Sequence, residues 1–186
     1  MDTIEHVNPD GDRVTIQVSD SGRNIVIGDN VTIGENVFLW DGTVIGDGVT
    51  IKQNCQFGRG VRLGEGVHIG RDSHLGYTTV GKGSYLEGEA HTQMDVNIGE
   101  RVRIGFYCDL GPGVVIEDDV SIGERFTTVS YTTIKSGSQF GNFVHLDRDI
   151  TIGEKVIIEN GVCLFGEQEV PDFAQVSYTA PVVHVR

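Results

Sequence analysis

Large apolar side chains recur along this chain at every sixth position. Ile27, Ile33, Leu39, Ile45, Ile51, Phe57, Leu63, Ile69 and Leu75 form one series. After a step shortened by one residue at Val80, the series resumes at Leu86 and keeps its period through Ile98, Ile116, Ile134 and Ile152 to Val176. A second series lies two residues earlier, at Val31, Val37, Val49, Cys55, Val61, Val67, Ala90, Val96, Val102, Cys108, Val114, Val120, Val144, Val156 and Val162. Two inward positions separated by one outward position make a short strand of period two. Glycine often follows the aliphatic residue, as at Gly28, Gly34, Gly46, Gly70 and Gly99, and reads there as a sharp corner with positive φ.

Each hexad therefore predicts one strand and one corner, and three hexads close a triangular coil. About 25 hexads give about eight coils, stacked at ~4.8 Å each into a prism roughly 40 Å long. The expected fold is all-β: a parallel β-helix over residues 25–186. Residues 1–24, where Val14, Ile16 and Val18 alternate, are expected to form a short N-terminal β cap over its open end.

Composition narrows the function classes. The 186 residues carry a formal net charge of −13 with only 14 Lys and Arg, and no basic stripe suits DNA or RNA. No apolar run is long enough to cross a bilayer, and Met1–Glu5 does not read as a signal peptide, so no membrane partner and a cytoplasmic location are expected. The cysteines, Cys55, Cys108 and Cys163, are odd in number and far apart, which predicts free thiols.

Chemistry is sought where the repeat becomes irregular. One of the three faces should carry Phe38, Gln56, His74, His91, Asp109, Thr127, His145 and Cys163 outward, collecting three of the six histidines. His74 and His91 are 17 residues apart, one coil less the omitted residue, and should be neighbours; His145 lies three coils beyond His91. The corner after this face holds Trp40, Tyr77 and Tyr131, and Tyr77-Thr78-Thr79-Val80 recurs as Tyr131-Thr132-Thr133-Ile134. Histidines and aromatic rings on one edge fit an acid–base site, a contact between prisms, or, with His74, His91 and Asp109 as donors, a metal site.

The repeat resembles that of the hexapeptide-repeat acyltransferase superfamily over about 150 residues. The resemblance implies a left-handed coil, a homotrimer with sites between prisms, acetyl-CoA or another acyl-CoA as donor, and a histidine base acting on a small-molecule acceptor, a sugar or nucleotide sugar. His74-Leu75-Gly76-Tyr77 resembles the His-Leu-x-Tyr stretch of bifunctional sugar-1-phosphate uridylyltransferases, which implies His74 as base and Tyr77 as a substrate contact. The Asn-Tyr-Asp-Gly stretch that follows in that family is missing here.

His145-Leu146-Asp147-Arg148-Asp149-Ile150-Thr151-Ile152-Gly153 resembles the His-x-x-His-Asp-x-x-Ile-Gly segment of lipid A acyltransferases. There the second histidine is the base, and Arg148 replaces it here; arginine stays protonated and cannot serve. His145 and Asp149 carry over. Val170–Val176 resembles the superfamily's final coil, but Ser177–Pro181 replaces the usual Gly-Asn-Pro-Ala near the coenzyme.

The catalytic candidates are therefore His74 and His145, with Tyr77, His91, Asp109, Tyr131, Asp149 and Trp40 as substrate contacts. Two alternatives stay open. One is a non-catalytic β-helix scaffold. The other resembles the γ-class carbonic anhydrases and would bind metal, although no pair of histidines five residues apart occurs.

Overall fold

The computed structural model describes residues 2–19 and 24–177. It is a left-handed parallel β-helix whose strands fall on three flat faces. Face 1 runs from the hairpin strands β1 (Asp2–Val7) and β2 (Arg13–Val18), through Phe38–Leu39, to Cys163–Leu164. Face 2 runs from Val26–Ile27 to Gln168–Val170, and face 3 from Thr32–Ile33 to Gln175–Val176. Each face meets the next at an edge, and successive strands on a face pair in parallel, one coil apart.

Among the described residues face 1 has ten strands, faces 2 and 3 have nine each, and only the β1–β2 hairpin is antiparallel. Setting aside β1, the described residues form nine coils, one more than the hexad lattice predicts. The extra coil takes its first side from β2, where Gln17 pairs with Phe38 and Val18 with Leu39. These residues stand out of phase with the repeat, so the periodicity beginning at Ile27 does not count them.

The two apolar series fill the interior. Ile33, Leu39, Ile51, Phe57, Ile69 and Leu86 are fully buried, as are Val37, Val49, Cys55, Val61 and Val67 from the second series. Two inward positions on face 1 are threonines, and both hydroxyls have partners. Thr92 Oγ1 accepts from Gly76 N–H at 3.1 Å and pairs with Thr78 Oγ1 at 2.5 Å, and Thr128 Oγ1 accepts from Gly111 N–H at 3.0 Å.

The corners differ from the expectation in one respect. Positive φ does not fall on the glycine that follows the aliphatic residue. It falls two positions later, at Asn30, Asn36, Gly48, Asn54, Gly66, Arg101, Tyr107, Asp119, Arg125, Phe143 and Lys155. The glycine after the aliphatic has a different cause, the coil beneath it. A Cβ on Gly34 would come within 2.6 Å of Gln53 N, and one on Gly70 or Gly111 would overlap a carbonyl oxygen of the next coil. Glycine is there to let two backbones approach.

The hairpin closes the N-terminal end. The buried Asn8 carboxamide takes the place of a missing strand: Ile33 N–H donates to Asn8 Oδ1 at 2.9 Å, and Asn8 Nδ2–H donates to the Ile33 carbonyl at 3.0 Å. His6 Nε2–H donates to the Val31 carbonyl at 2.8 Å. Unpaired edge groups of face 3 are thereby satisfied by side chains.

Candidate functional site

The outward residues of face 1 form a single row, Gln17, Phe38, Gln56, His74, His91, Asp109, Thr127, His145 and Cys163, each one strand from the next. His74 and His91 are direct cross-strand partners. His74 Nδ1 lies 3.3 Å from His91 Nε2, and His91 Nδ1 lies 3.5 Å from Asp109 Oδ1. The two rings share one hydrogen bond, whose donor depends on the tautomer, and the Asp109 carboxylate faces His91 at ion-pair distance.

Beside His74 a groove of about 630 Å³ opens along the N-terminal half of the face, lined by Gln17, Asn36, Phe38, Trp40, Gln56 and His74. Phe38 meets Trp40 edge-on with centroids 6.0 Å apart, and the Arg59 guanidinium stands 5.8 Å from the Trp40 ring centroid. The omitted residue after Leu75 shortens the next corner to Gly76-Tyr77. There the Tyr77 ring lies across Gly60, where a Cβ would come within 2.6 Å of Tyr77 Cε2. Tyr131 lies across Gly113 in the same way. The repeated Tyr-Thr-Thr segment thus seats each tyrosine on a glycine of the preceding coil.

The structure divides the candidate residues into two groups. His74 is hydrogen-bonded to His91, the Asp109 carboxylate stands 3.5 Å from the other side of the His91 ring, and Trp40 and His74 share the groove. His145 stands four strands from His74, ~19 Å along the face, so the two candidate bases do not meet in one centre. Around His145, Thr127 Oγ1 is 2.8 Å from Nδ1 and the Phe165 ring is 5.9 Å away. Asp149 sits exposed at a corner with φ 56°, its N–H donating to the Ser130 carbonyl. Beside His145, the Asp147 carboxyl is held below the usual carboxylate range, first by the Arg148 N–H and then by the Gly166 N–H.

His74, His91 and Asp109 are strung along a line and do not converge on a point. Among the described residues no group of three His, Cys, Asp or Glu side chains is arranged to hold a metal ion. No described helix is long and apolar enough to cross a membrane. Cys55 and Cys108 are buried and their thiols are pushed up to about 11 by that burial, whereas Cys163 is an exposed free thiol at the end of the row. Tyr178–Pro181 and His184 lie outside the described residues.

Gln17 and Asn36 also line the groove, and sequence reasoning passed over both. The alternation of Val14, Ile16 and Val18 already points Gln17 outward. Its place in the row depends on β2 joining face 1, which the hexad lattice does not reveal.

The family described as bacterial transferase hexapeptide (six repeats) matches residues 24–59 and 42–77. No curated protein matches the chain by sequence. Among solved structures, LpxA from Acinetobacter baumannii is similar with a TM-score of 0.76 at 12% identity, over 87% of this chain and 69% of that one. LpxA from Bacteroides fragilis 9343, a UDP-N-acetylglucosamine acyltransferase, gives 0.66 at 16%, over 86% and 68%. The Arabidopsis UDP-N-acetylglucosamine acyltransferase gives 0.57 at 13%, over 92% and 71%.

At these identities the likeness is one of fold: a left-handed solenoid with nine described coils. The family match covers residues 24–77, and the solved structures agree with the left-handed β-helix that the sequence resemblance implied.

Proposed function

We propose that the protein is an acyltransferase that moves an acyl group from a coenzyme A thioester, acetyl-CoA or another acyl-CoA, to a hydroxyl or amine of a small sugar or nucleotide-sugar acceptor. The observation that carries this reading is the His74–His91–Asp109 row ending at the groove. His74 Nε2 takes the proton from the acceptor as its oxygen or nitrogen attacks the thioester carbonyl. The tetrahedral adduct then collapses, the C–S bond breaks, and the proton passes from His74 to the departing thiolate. His91 and Asp109 hold the imidazole in the required tautomer and stabilise its protonated form. Two of the structural neighbours are UDP-N-acetylglucosamine acyltransferases, which supports the reaction class.

Backbone N–H groups beside His74 are engaged between coils: His74 N with Ala90 O, Gly76 N with Thr92 O, Gly58 N with Leu75 O. We place the oxyanion donor on a second copy of the chain. That agrees with a homotrimer whose sites lie between prisms, the apolar edge bearing Trp40, Tyr77, Met94, Val129 and Phe165 forming the contact. Tyr131, His145 and Asp149 then contact the far end of a long ligand lying along face 1. Three unpaired cysteines and use of a coenzyme A thioester fit the cytoplasm.

A non-catalytic scaffold is the second reading, favoured by the exposure of the His91 and Asp109 side chains at 53% and 63%. Calorimetric titration with acetyl-CoA separates the two. Saturable binding near one site per chain, followed by acyl transfer that His74→Ala abolishes, supports the enzyme. No binding at millimolar donor supports the scaffold.

A further inference from the structure

At the N-terminal end of the prism, two faces are finished differently. On face 3, His6 and Asn8 bond the open groups of Val31 and Ile33. Face 1 ends at β1, which has β2 on one side and no strand on the other.

The phase of the hairpin defines what that outer edge offers. Opposite residues of an antiparallel pair alternate between bonding each other and turning both backbone groups away. Asn8 N–H donates to the Asp12 carbonyl, so Val7 and Arg13, the next pair, turn away from each other. Gln17 N–H donates to the Val37 carbonyl, away from β1, which gives its partner Thr3 the same phase. Thr3, Glu5 and Val7 therefore aim N–H and C=O outward, and among the described residues no group bonds to them there.

An edge of this kind templates another strand unless proline, lysine or a bulge blunts it. β1 reads Asp-Thr-Ile-Glu-His-Val, and its pairing with β2 runs without a bulge. The core beneath it is also incompletely covered: Ile4, Val14, Ile25 and Ile27 pack against it and stay only half-buried.

Self-pairing of β1 about a two-fold axis has few registers that oppose outward groups. An axis at Glu5 sets two carboxylates opposite each other, which is unfavourable. An axis at Thr3 overlaps only residues 2–4. With the axis at Ile4, Thr3 exchanges backbone bonds with Glu5 of the second copy, and Asp2 lies opposite the His6 imidazole. The two Ile4 side chains then meet on the core side, with Cα atoms ~4.5 Å apart, and cover the half-buried cluster.

We propose that the outer edge of β1 docks the same strand of a second copy, antiparallel and centred on Ile4, joining two prisms head to head. The pairing is independent of the acyltransferase reading. It uses the end of the prism and leaves the sides free, so a monomer would pair to a dimer and a trimer to a hexamer.

Glu5→Pro removes an outward N–H and leaves the bonds of the hairpin in place. Sedimentation velocity compares it with wild type at ~0.15 M salt, where repulsion between the two acidic prisms is screened beyond ~8 Å. The expected wild-type mass is twice that of the variant, with equal melting temperatures. Equal masses, or a doubled mass that survives Glu5→Pro, overturn the proposal. The register is read without the proline. Cys55 and Cys108 are buried, so a Cys163→Ser background removes the exposed thiol. In it, Ile4→Cys should oxidise to a disulfide-linked pair, because an axial pair of this type brings the two Cα atoms within disulfide reach, and Glu5→Cys should stay unlinked. An unlinked Ile4→Cys, or linkage at Glu5→Cys in its place, overturns the proposal.

Discussion

The edge between faces 3 and 1 and the edge between faces 1 and 2 are made of the same hexads and end differently. Along the first, each corner residue is matched by the one above. Asn36 donates to Asn54 Oδ1 at 3.1 Å and Asn54 to Asp72 Oδ1 at 2.9 Å; further on, the Arg125 guanidinium is held between the Tyr107 and Phe143 rings at 5.1 and 5.6 Å. Along the second, Arg59 stands over Trp40, but the omitted residue after Leu75 interrupts the match and the large side chains Met94, Val129 and Phe165 leave apolar surface exposed. A self-matched edge has used its interactions on folding. The mismatched edge, with the histidine row beside it, keeps its groups for something outside the chain.

That contrast predicts opposite mutational outcomes. The largest effect expected is on turnover: His74→Ala should lower kcat by about 10²–10⁴-fold, the usual contribution of a general base, with the melting temperature unchanged because the side chain is exposed. Steady-state kinetics with thermal melts checks this, and unaltered turnover would place the base elsewhere. Next comes Gly70→Ala on the matched edge. Its Cβ would strike the Glu87 carbonyl, and denaturant melts should show a loss of about 1–3 kcal/mol or more. The open site at Gly66, φ +66°, should lose only about 1–2 kcal/mol on the same change, from backbone strain alone.

Arg125→Ala should cost roughly 1–2 kcal/mol through its two ring contacts and leave activity intact, read by the same melts and assays. The smallest effect concerns pH. His68 stacks on Tyr85 at 4.2 Å, and its pKa is lowered, first by burial and then by Lys52. The unfolded chain therefore takes up the proton before the folded one does, and stability should fall as pH drops below about 6.5. Melts of His68→Gln between pH 8 and 5 should lack that part of the slope.

Much of the fold is legible in the sequence because one physical demand, an apolar residue at every sixth position, repeats along the chain with a single shortened step. The cause of the corner glycines is not, since close approach to the next coil is a tertiary fact. Nor is positive φ at Tyr107, Arg125, Phe143 or Phe173, which local preference disfavours by about 1–2 kcal/mol each. The stacking of Arg125 on Tyr107 and Phe143, and of Lys155 on Phe173 at 5.6 Å, offsets it and can be seen only across coils. Of the candidate site, the pairing of His74 with His91 follows from counting residues. The hydrogen bond between the His74 and His91 rings, and the arrival of Gln17 from the hairpin, depend on side-chain direction and on a strand outside the repeat.

The Asn8 carboxamide gives the prism a direction. A stack of coils is in principle a polymer: any exposed last coil is a template for another, from the same chain or from a second molecule. By occupying both ladder positions at Ile33, one side chain makes the first coil a dead end. A chain with leucine at this position would present open edges at that end.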